Sequence, residues 1–522
     1  MRELRTMLDQ RPDLQNYLFR RGFLITNREP DLTVYPFYNN WTKTDLINGF
    51  AAYVHRDQKV HTVFKDDRVF FLCGHAYNPF TMVPDETEIL ARIAESYGTE
   101  SYQDRIDEIT GIYVIGSVGS TVEFECDPSG MQSAYYGSIG GDFFLTSHSQ
   151  LIGDLYGLEM NALTRELLQY KWYYRVMGPY LPTDMTQFDE VKRIVPDIAY
   201  TRAESGVQHR RFWPLKEIES ATEPADYERV IEAGADILRR NMQLVSQKWK
   251  KPYISLTGGI DSNTTFASAN GIYDRFRAFS YVSAEKETID AAAAEKIAKR
   301  FDVEWTCHRI PETSDSLKDY DELVRIMDHN NGEIAPKYDS ENRKRVYLLS
   351  HLDCDVEVKS WVSETIRAYW YKHYGRKTMP KLSPKLFRNL YKIFLGNRRL
   401  AHKIDALFEK YIREFEYEKI PASYPPADMH YNEVTWGSWG GLNISDMKIY
   451  SDITIIYNNR KFFDLMFRVP LEKRISDQHH LDLKRVLNRE LYDMNIRVVN
   501  LKETNTRAFL LNLIFILNSI LP

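Results

Sequence analysis

The sequence predicts an α/β protein in two parts: an N-terminal α+β layered domain, followed by a parallel-sheet domain that becomes largely helical toward its end. Three observations predict it. Short β-branched or aromatic runs separated by Gly, Asp and Asn turns crowd the region from about residue 50 to 200. Past residue 215, strands alternate with amphipathic helices, the pattern of a parallel sheet with helices on its faces. The 522 residues also suffice for more than one core.

Along the first part, "KVHTVFKD", "RVFFLCGHAYN", "GIYVIGSV", "TVEFECD", "SAYYGSI" and "DFFLTSH" read as strands pairing in hairpins. "ETEILARIAESYG" reads as a helix with Ile89, Leu90, Ile93 and Ala94 on one face. A loop containing "RRFWPLKEIESATEP" divides the chain into domains 1–215 and 216–522. There follow the helix "ADYERVIEAGADILRRNMQLVSQKW", the strand Tyr253 to Leu256, a helix from Ser262, the strand "FRAFSYVS", the helix "TIDAAAAEKIAKRF" and the strand "VEWTCHRI". The remainder is expected to be mostly helical.

Two stretches of the second domain stand out. A basic helical insertion around 372–420 is dense in Lys and Arg, with Asp405 and Glu409 the acids up to Lys410, and Phe387, Tyr391, Phe394 and Phe408 interleaved. It reads either as a solvated helical face or as a docking face for an anionic substrate, carrier or membrane surface. The apolar "AFLLNLIFILNSILP" from Ala508 is shorter than the ~20 residues that span a bilayer. It reads as a buried terminal helix, a homodimer contact, or a peripheral membrane anchor with basic flanks at Lys502 and Arg507.

Composition narrows the function classes. A formal net charge of -5 gives no global attraction to nucleic acid, and none is expected as a partner. Cys73, Cys126, Cys307 and Cys354 are far apart and form no CxxC pair, so a disulfide framework or zinc site is not signalled and a reducing cytoplasm is expected. The first residues are charged throughout and lack the apolar core of a signal peptide.

The chemistry concentrates in "YISLTGGIDSNTTFASANG", Tyr253 to Gly271: an apolar strand, a glycine turn, then a helix start. Helix first-turn amides have no intrahelical partners, and the positive helix end favours phosphate. Glycines let backbone approach a ligand, Thr257 and Ser262 add hydroxyls, and Asp261 is a hard oxygen ligand for Mg²⁺. The lysine of a Walker loop is missing, which suits release of pyrophosphate better than transfer of a γ-phosphoryl group.

"LTGGIDS", Leu256 to Ser262, resembles the SGGxDS pyrophosphate loop of the ATP-pyrophosphatase superfamily, with Thr257 where serine is usual. Further matches point to the asparagine synthetase-like branch, which includes β-lactam synthetases and lasso-peptide cyclases. "FSYVS", with Ser280 and Val282, resembles the strand whose backbone faces adenine; "DAAAAEKIAKRF" resembles the helix after it. "NNRKFFDLMFRVP" resembles a later segment, and in "DLKRVLNREL" Lys484 falls where the family carries a charge-stabilising lysine. In the first domain "GHAYNP", "DPSGMQSAYYG" and "FLTSHSQLI" resemble parts of a class II, Ntn-type amidotransferase. That family's glutaminase needs cysteine as its first mature residue, and this chain opens Met1-Arg2, so an inactive amidotransferase fold is expected.

The resemblance implies ATP and Mg²⁺ as cofactors and an AMP-forming ligase. A small-molecule, peptide or glycan carboxylate becomes an acyl-adenylate, then an amide with ammonia or an amine. Leu256, Thr257, Gly258, Gly259, Asp261, Ser262, Ser280, Val282, Ser360 and Trp361 would bind nucleotide, Asp261 and Glu364 the metal, with Lys484 and Glu364 catalytic. The loop after "CDVEVK" departs from the pattern, reading Ser360-Trp361-Val362-Ser363-Glu364-Thr365 without glycines, and Glu364 stands for the usual aspartate. That departure leaves a second reading open, a non-catalytic ATP-binding or scaffolding relative. A third, tRNA thiolation, lacks the expected cysteine pair. Elsewhere Cys73 reads as a core residue, His479 and His480 as a solvated loop pair, and "HNNGEIAPKYDSENRKR" as a polar loop offering Lys337 and Arg345 to an acidic substrate.

Overall fold

The structure is a computed structural model and describes residues 2–496 and 501–520. Its first half holds twelve strands: β1 (Phe23–Thr26), β2 (Trp41–Asp45), β3 (Ala51–His55), β4 (Val60–Lys65), β5 (Arg68–Tyr77), β6 (Thr110–Val118), β7 (Val122–Cys126), β8 (Tyr135–Ile139), β9 (Asp142–Thr146), β10 (Val191–Arg193), β11 (Ile198–Ala203) and β12 (Gly206–Arg211). They form two six-stranded antiparallel sheets, β10-β8-β9-β1-β3-β2 and β12-β11-β7-β6-β5-β4. The sheets pack face to face: the Phe124 ring of β7 lies 5.6 Å from Tyr136 of β8 and 6.0 Å from Phe143 of β9.

Helices α1 (Arg2–Gln10), α2 (Glu86–Glu95) and α3 (Ser149–Tyr156) cover the outer faces. On α2, Ile89, Leu90, Ile93 and Ala94 bury against Phe70 and Leu72 of β5, the face expected from their 3.6-residue spacing. On α1 and α3, Leu4, Leu8, Leu151 and Ile152 do the same for the first sheet. The result is an α+β layered domain. Strand character begins at Phe23, earlier than the sequence pattern shows, because β1 is buried on both faces and so carries no alternation.

The second half is built on five parallel strands, β13 (Pro252–Ser255), β14 (Arg277–Val282), β15 (Trp305–Arg309), β16 (Val356–Lys359) and β17 (Asp452–Ile455), in the order β15-β14-β13-β16-β17. Helices α4 (Pro224–Lys248), α5 (Ile260–Ala267), α6 (Thr288–Arg300), α7 (Tyr320–Asn330), α8 (Asp339–His351), α9 (Pro384–Tyr391), α10 (Arg398–Glu414), α11 (Gln478–Leu487) and α12 (Leu501–Ile520) accompany them. Between α10 and α11 a continuous helical run, 426–447, widens into π-type turns over Tyr431–Gly440. The chain leaves β13 outward to β14 and β15, then returns to the other side for β16 and β17. Ligand crevices of open α/β sheets form where such connections diverge, at the strands' carboxyl ends, which here means beside β13.

Pro224 starts α4 where a missing N–H does no harm, and Val230, Ile231, Leu238, Met242 and Val245 bury one face. Gly234 lets this helix lie close to Met466, whose Cε would stand 2.6 Å from an added Cβ.

The two halves are tied together by buried charge. Arg460 gives its Nε to Asp197 at 2.8 Å and faces Asp107 and Glu125 at 3.3 and 3.5 Å; Arg211 pairs with Glu433 of the π-type helix at 2.7 Å. The basic insertion is helical but is not solvated throughout. Arg388 pairs with Asp405 at 2.7 Å, and the buried Lys392 donates to the carbonyl oxygens of Arg175 and Gly178. Among the described residues no helix is long and apolar enough to cross a membrane.

Candidate nucleotide site

The turn after β13 is shaped by hydroxyls and one amide. Ser262 Oγ donates toward the carbonyl oxygens of Thr257 and Gly259, at 3.0 and 3.1 Å, and accepts the Thr257 amide at 3.1 Å. Thr257 Oγ1 lies 2.8 Å from Ser262 Oγ and accepts the Gly259 amide at 3.1 Å. Asn263 Nδ2 holds the carbonyl oxygens of Gly258 and Gly259 at 3.1 and 2.8 Å. Asp290, at the start of α6, takes the Gly258 amide at 3.1 Å. The amides of Ile260, Asp261 and Ser262 find no acceptor among the described residues, as a helix first turn dictates. A Cβ on Gly259 would meet nothing but Thr257 Oγ1, at 3.3 Å, so the backbone is open on its outer side.

Asp261 opens a charged cluster. Its Oδ1 accepts from Ser363 Oγ at 2.7 Å and lies 3.5 Å from His480 Nε2; its Oδ2 accepts from the Arg367 guanidinium. Arg367 also grips Asp477 with two parallel bonds, 2.8 and 2.9 Å, and Lys372 Nζ joins at 2.6 Å. Burial opposes the Asp477 charge, yet Arg367 and Lys372 hold its carboxyl well below the usual range. Burial, followed by the Arg367 charge, lowers Lys372.

Glu364 sits in the same cluster. Burial, and next the Asp261 charge, push its carboxyl up to about 7; Tyr431 Oη donates to it at 3.2 Å. Asp261 and Glu364 thus stand together as the sequence suggests, but with a guanidinium already opposing Asp261 and with Glu364 near half-protonation at neutral pH. Magnesium prefers ionised oxygen ligands with room for its waters; Asp261 and Glu364 are the carboxylates here that would hold it, with the Arg367 guanidinium competing for Asp261.

The loop carrying Glu364 is built without glycine at a price in backbone energy. Val362 adopts φ 72°, ψ -26°, a left-handed conformation that a β-branched residue enters at about 1–3 kcal/mol. Its side chain is fully buried. Trp361 turns onto the π-type helix, with ring centroids 5.5 Å from Trp436 and 5.6 Å from Trp439, the latter nearly parallel. Ser360 Oγ accepts from Thr265 Oγ1 of α5 at 3.1 Å.

Other expected residues have different placements. Ser280 is buried, giving its hydroxyl to the Leu256 carbonyl at 2.7 Å and accepting from Trp305 Nε1 at 3.0 Å, so it joins β13 to β14. Val282 ends β14 at the crevice rim, and Leu256 is fully buried at the start of the turn. Lys484 is buried on α11, one turn after His480 and on the same helix face, with Nζ 5.9 Å from the Tyr492 ring.

Beside the crevice, on the face covered by α8, lies a cavity of about 550 Å³. Tyr281 of β14, Lys359 at the end of β16, Trp361 just after it, Trp439, Lys337 and Lys344 contribute to its wall. Lys337 has a side chain 9% exposed; Nζ lies 3.5 Å from Asp446 Oδ2 and makes no hydrogen bond among the described residues. Arg345 belongs to α8 and is interior, so the polar loop expected through Arg345 is confined to the residues between α7 and α8.

His479 and His480 are buried in α11, not solvated, and 2.9 Å apart; burial drives both well below the usual imidazole range. Arg367, Lys372, Asp477 and the π-type helix escape sequence reasoning because no spacing rule links them to the turn. The available hint is "WVSETIRAYWYKH", where cations follow the glycine-free loop at once.

In the first domain, Asn78 accepts the amides of Phe80 and Thr81 at 2.8 and 3.0 Å. Asp127 accepts those of Ser129, Met131 and Gln132, and also Asn458 Nδ2 at 2.7 Å. Both side chains close turns. Burial pushes all four thiols up, Cys354 to about 12, and Cys73 is a core residue as expected.

No curated protein matches the chain. Among solved structures, the glutamine phosphoribosylpyrophosphate amidotransferase from B. subtilis, complexed with ADP and GMP, aligns over 69% of this chain and 73% of its own, at 10% identity and TM-score 0.24. An allosteric regulatory enzyme of purine biosynthesis aligns over 64% and 91%, at 12% identity and TM-score 0.24. The glutamine-dependent NAD+ synthetase from Acinetobacter baumannii, in complex with ADP, aligns over 49% and 62%, at 12% identity and TM-score 0.19. Residues 250–358, from just before β13 to the penultimate residue of β16 and so including the glycine turn, match the asparagine synthase family: the chain carries an asparagine synthase domain.

Proposed function

We propose that the protein is an ATP-dependent, AMP-forming carbon–nitrogen ligase. The observation that carries this reading is the turn after β13, inside the asparagine synthase match, with three first-turn amides unsatisfied and its glycine backbone open. Those amides and the Thr257 and Ser262 hydroxyls would receive the outer phosphates. A carboxylate oxygen then attacks the α-phosphorus, and the bond to pyrophosphate breaks. An amine nitrogen attacks the acyl carbon of the adenylate; the bond to AMP breaks as the amide forms, and the amine loses a proton.

Each charge has a local counterpart. Arg367, Lys372 and Lys484 supply positive potential near the departing pyrophosphate in a partly water-excluded site. Glu364, poised at about 7, is suited to take the amine proton as general base. The cavity beside the crevice would hold the acid, its ring or chain against Trp361, Trp439 and Tyr281 and its charge near Lys337 and Lys344. A ring-bearing acid such as a carboxylated sugar suits such walls.

The first domain is proposed to act as scaffold. Its Asn78 and Asp127 side chains are committed to turns, and burial keeps the four thiols protonated, so the amine would arrive as ammonia or as a substrate amine. The Arg367-filled Asp261 and the strained Val362 favour one rival, an ATP-binding relative without chemistry. Exchange of labelled pyrophosphate into ATP, across a panel of carboxylates, separates the two. Exchange with one acid supports the ligase; nucleotide binding without exchange on any acid supports the rival. Release of glutamate from glutamine would overturn the scaffold role.

A further inference from the structure

We propose that α12 docks the protein on an anionic lipid surface, lying in the plane of the interface. The helix is apolar on two opposite faces, and the fold uses one. Asn518 gives Nδ2 to Asn389 Oδ1 and the Lys392 carbonyl, at 2.9 and 3.1 Å, and accepts the Phe394 amide at 2.8 Å. Phe515 lies 4.8 Å from the Tyr374 ring and beneath the Arg376 guanidinium, which donates to Asn512 Oδ1 at 2.8 Å. These contacts fix the inner face against α9 and the segment before it.

The outer face is bare. Phe509, Leu510, Leu513, Ile516, Leu517 and Ile520 are 39% to 66% exposed, whereas the other large exposed apolar side chains are scattered singly. At about 100° per residue these six fall within a sector of roughly 120°, opposite Phe515 and Asn518. A contiguous apolar stripe of this kind marks an interaction surface.

Charge selects the occupant. The segments that carry α12 expose Lys377, Lys381 and Lys385, the α10 that follows them exposes Arg398 and Arg399, and Arg507 is exposed on the helix itself. No acidic residue occurs between Lys372 and Ile404. Pairing two copies of the stripe about a two-fold axis would bring these cations toward their own images. An anionic leaflet instead meets both features, apolar area inserting among acyl chains and basic rims at the headgroups, the two signals stable anchoring needs. The inner face, sealed to protein by Asn512 and Asn518, keeps the helix from spanning.

The test is co-sedimentation of the full chain with vesicles of phosphatidylcholine alone, or with about 30% phosphatidylglycerol. Binding is expected on the anionic vesicles and to weaken with salt. Leu513→Asn with Leu517→Asn, or Lys377→Gln with Lys381→Gln and Lys385→Gln, should each lower the partition constant at least about tenfold. All these side chains are exposed, so folding, checked by thermal melting, and lipid-free pyrophosphate exchange should be unchanged; that exchange keeps this test separate from the proposed ligase activity. No anionic-vesicle binding, equal binding to both vesicles, or binding untouched by the leucine pair would overturn the proposal. So would a dimer in sedimentation velocity that the leucine pair dissociates in the absence of lipid binding.

Discussion

The carboxylate of Asp261, first acid of the turn helix, is held by the guanidinium of Arg367, which at the same time forms a two-bond pair with Asp477. The relationship sets the charge of the candidate nucleotide crevice before any ligand arrives. Removing Arg367 would leave Asp261 beside Glu364 without its guanidinium, and Asp477 with Lys372 as its remaining cation.

Arg367→Gln should therefore destabilise the protein by about 3 kcal/mol, the cost of stranding one partner of a buried pair. It should also change the ion requirement. In the wild type the guanidinium already neutralises Asp261, so chelating magnesium should weaken ATP binding by less than about 1.4 kcal/mol, a factor of ten. In Arg367→Gln the freed carboxylates should make binding steeply magnesium-dependent. Calorimetric titration of ATP with and without chelator reads both; equal magnesium dependence in the two proteins would contradict the role given to Arg367.

Glu364 predicts a pH dependence. The fold raises this acid from 4.5 to about 7. Below about pH 4.5 folded and unfolded states both hold the proton and nothing is gained or lost. Between the two values the unfolded chain releases it first, so stability falls as pH rises, and above about pH 7 the loss is constant, with a ceiling of roughly 3 kcal/mol. Glu364→Gln keeps the neutral shape, so it should be the more stable protein at pH 8 by up to that amount and match wild type near pH 4.5. Urea unfolding at both pH values tests this, and parallel curves for the two proteins would deny the shift. Amide formation should still fall, because glutamine cannot accept the amine proton, whereas exchange of pyrophosphate into ATP, which precedes the amine's attack, should persist.

Lys484 separates electrostatics from binding. Lys484→Met should lower kcat about 10²–10³-fold, as loss of a charge aimed at a developing anion does elsewhere. Lys484→Arg, which keeps the charge, should recover part of it, and the ATP dissociation constant should stay within about threefold in both, under ~0.7 kcal/mol. A loss confined to ATP affinity would make Lys484 a ground-state contact.

Much of this architecture is legible in the sequence because local patterns write it. The hairpin strands β4 to β9 alternate or are bounded by turn residues, α2 and α4 carry 3.6-residue stripes, and the glycine turn announces itself between an apolar strand and a helix start. What fails has a physical reason in each case. Four-residue β17 is too short to show a period. His480 looks like a loop residue until α11 closes over it. Arg367 and Asp477 are partners 110 positions apart, and nothing local in either segment encodes the other. The π-type turns of Tyr431–Gly440 bring Tyr431 to Glu364 and Trp436 and Trp439 to Trp361, so the site's aromatic wall rests on a helical irregularity that hydrophobic periodicity does not report.

The cavity wall gives the last prediction. Lys337 carries a buried ammonium with no hydrogen bond among the described residues and Asp446 at 3.5 Å, and burial lowers its pKa. A group kept this way gains most when an anion supplies the missing acceptor, since an unmade bond to a buried charge is expensive. Trp361, stacked near-parallel to Trp439 at 5.6 Å, offers a flat face for a ring on the cavity wall. Once pyrophosphate exchange has identified an acid, Lys337→Met and Trp361→Ala should each raise its KM by about 10–100-fold, some 1.4–2.8 kcal/mol. The KM for ATP should hold within about threefold, because the amides proposed to receive its phosphates belong to the turn after β13 and not to the cavity wall. If both variants instead weaken ATP and spare the acid, the cavity belongs to the nucleotide base, and the acid must enter from the Glu364 side of the crevice.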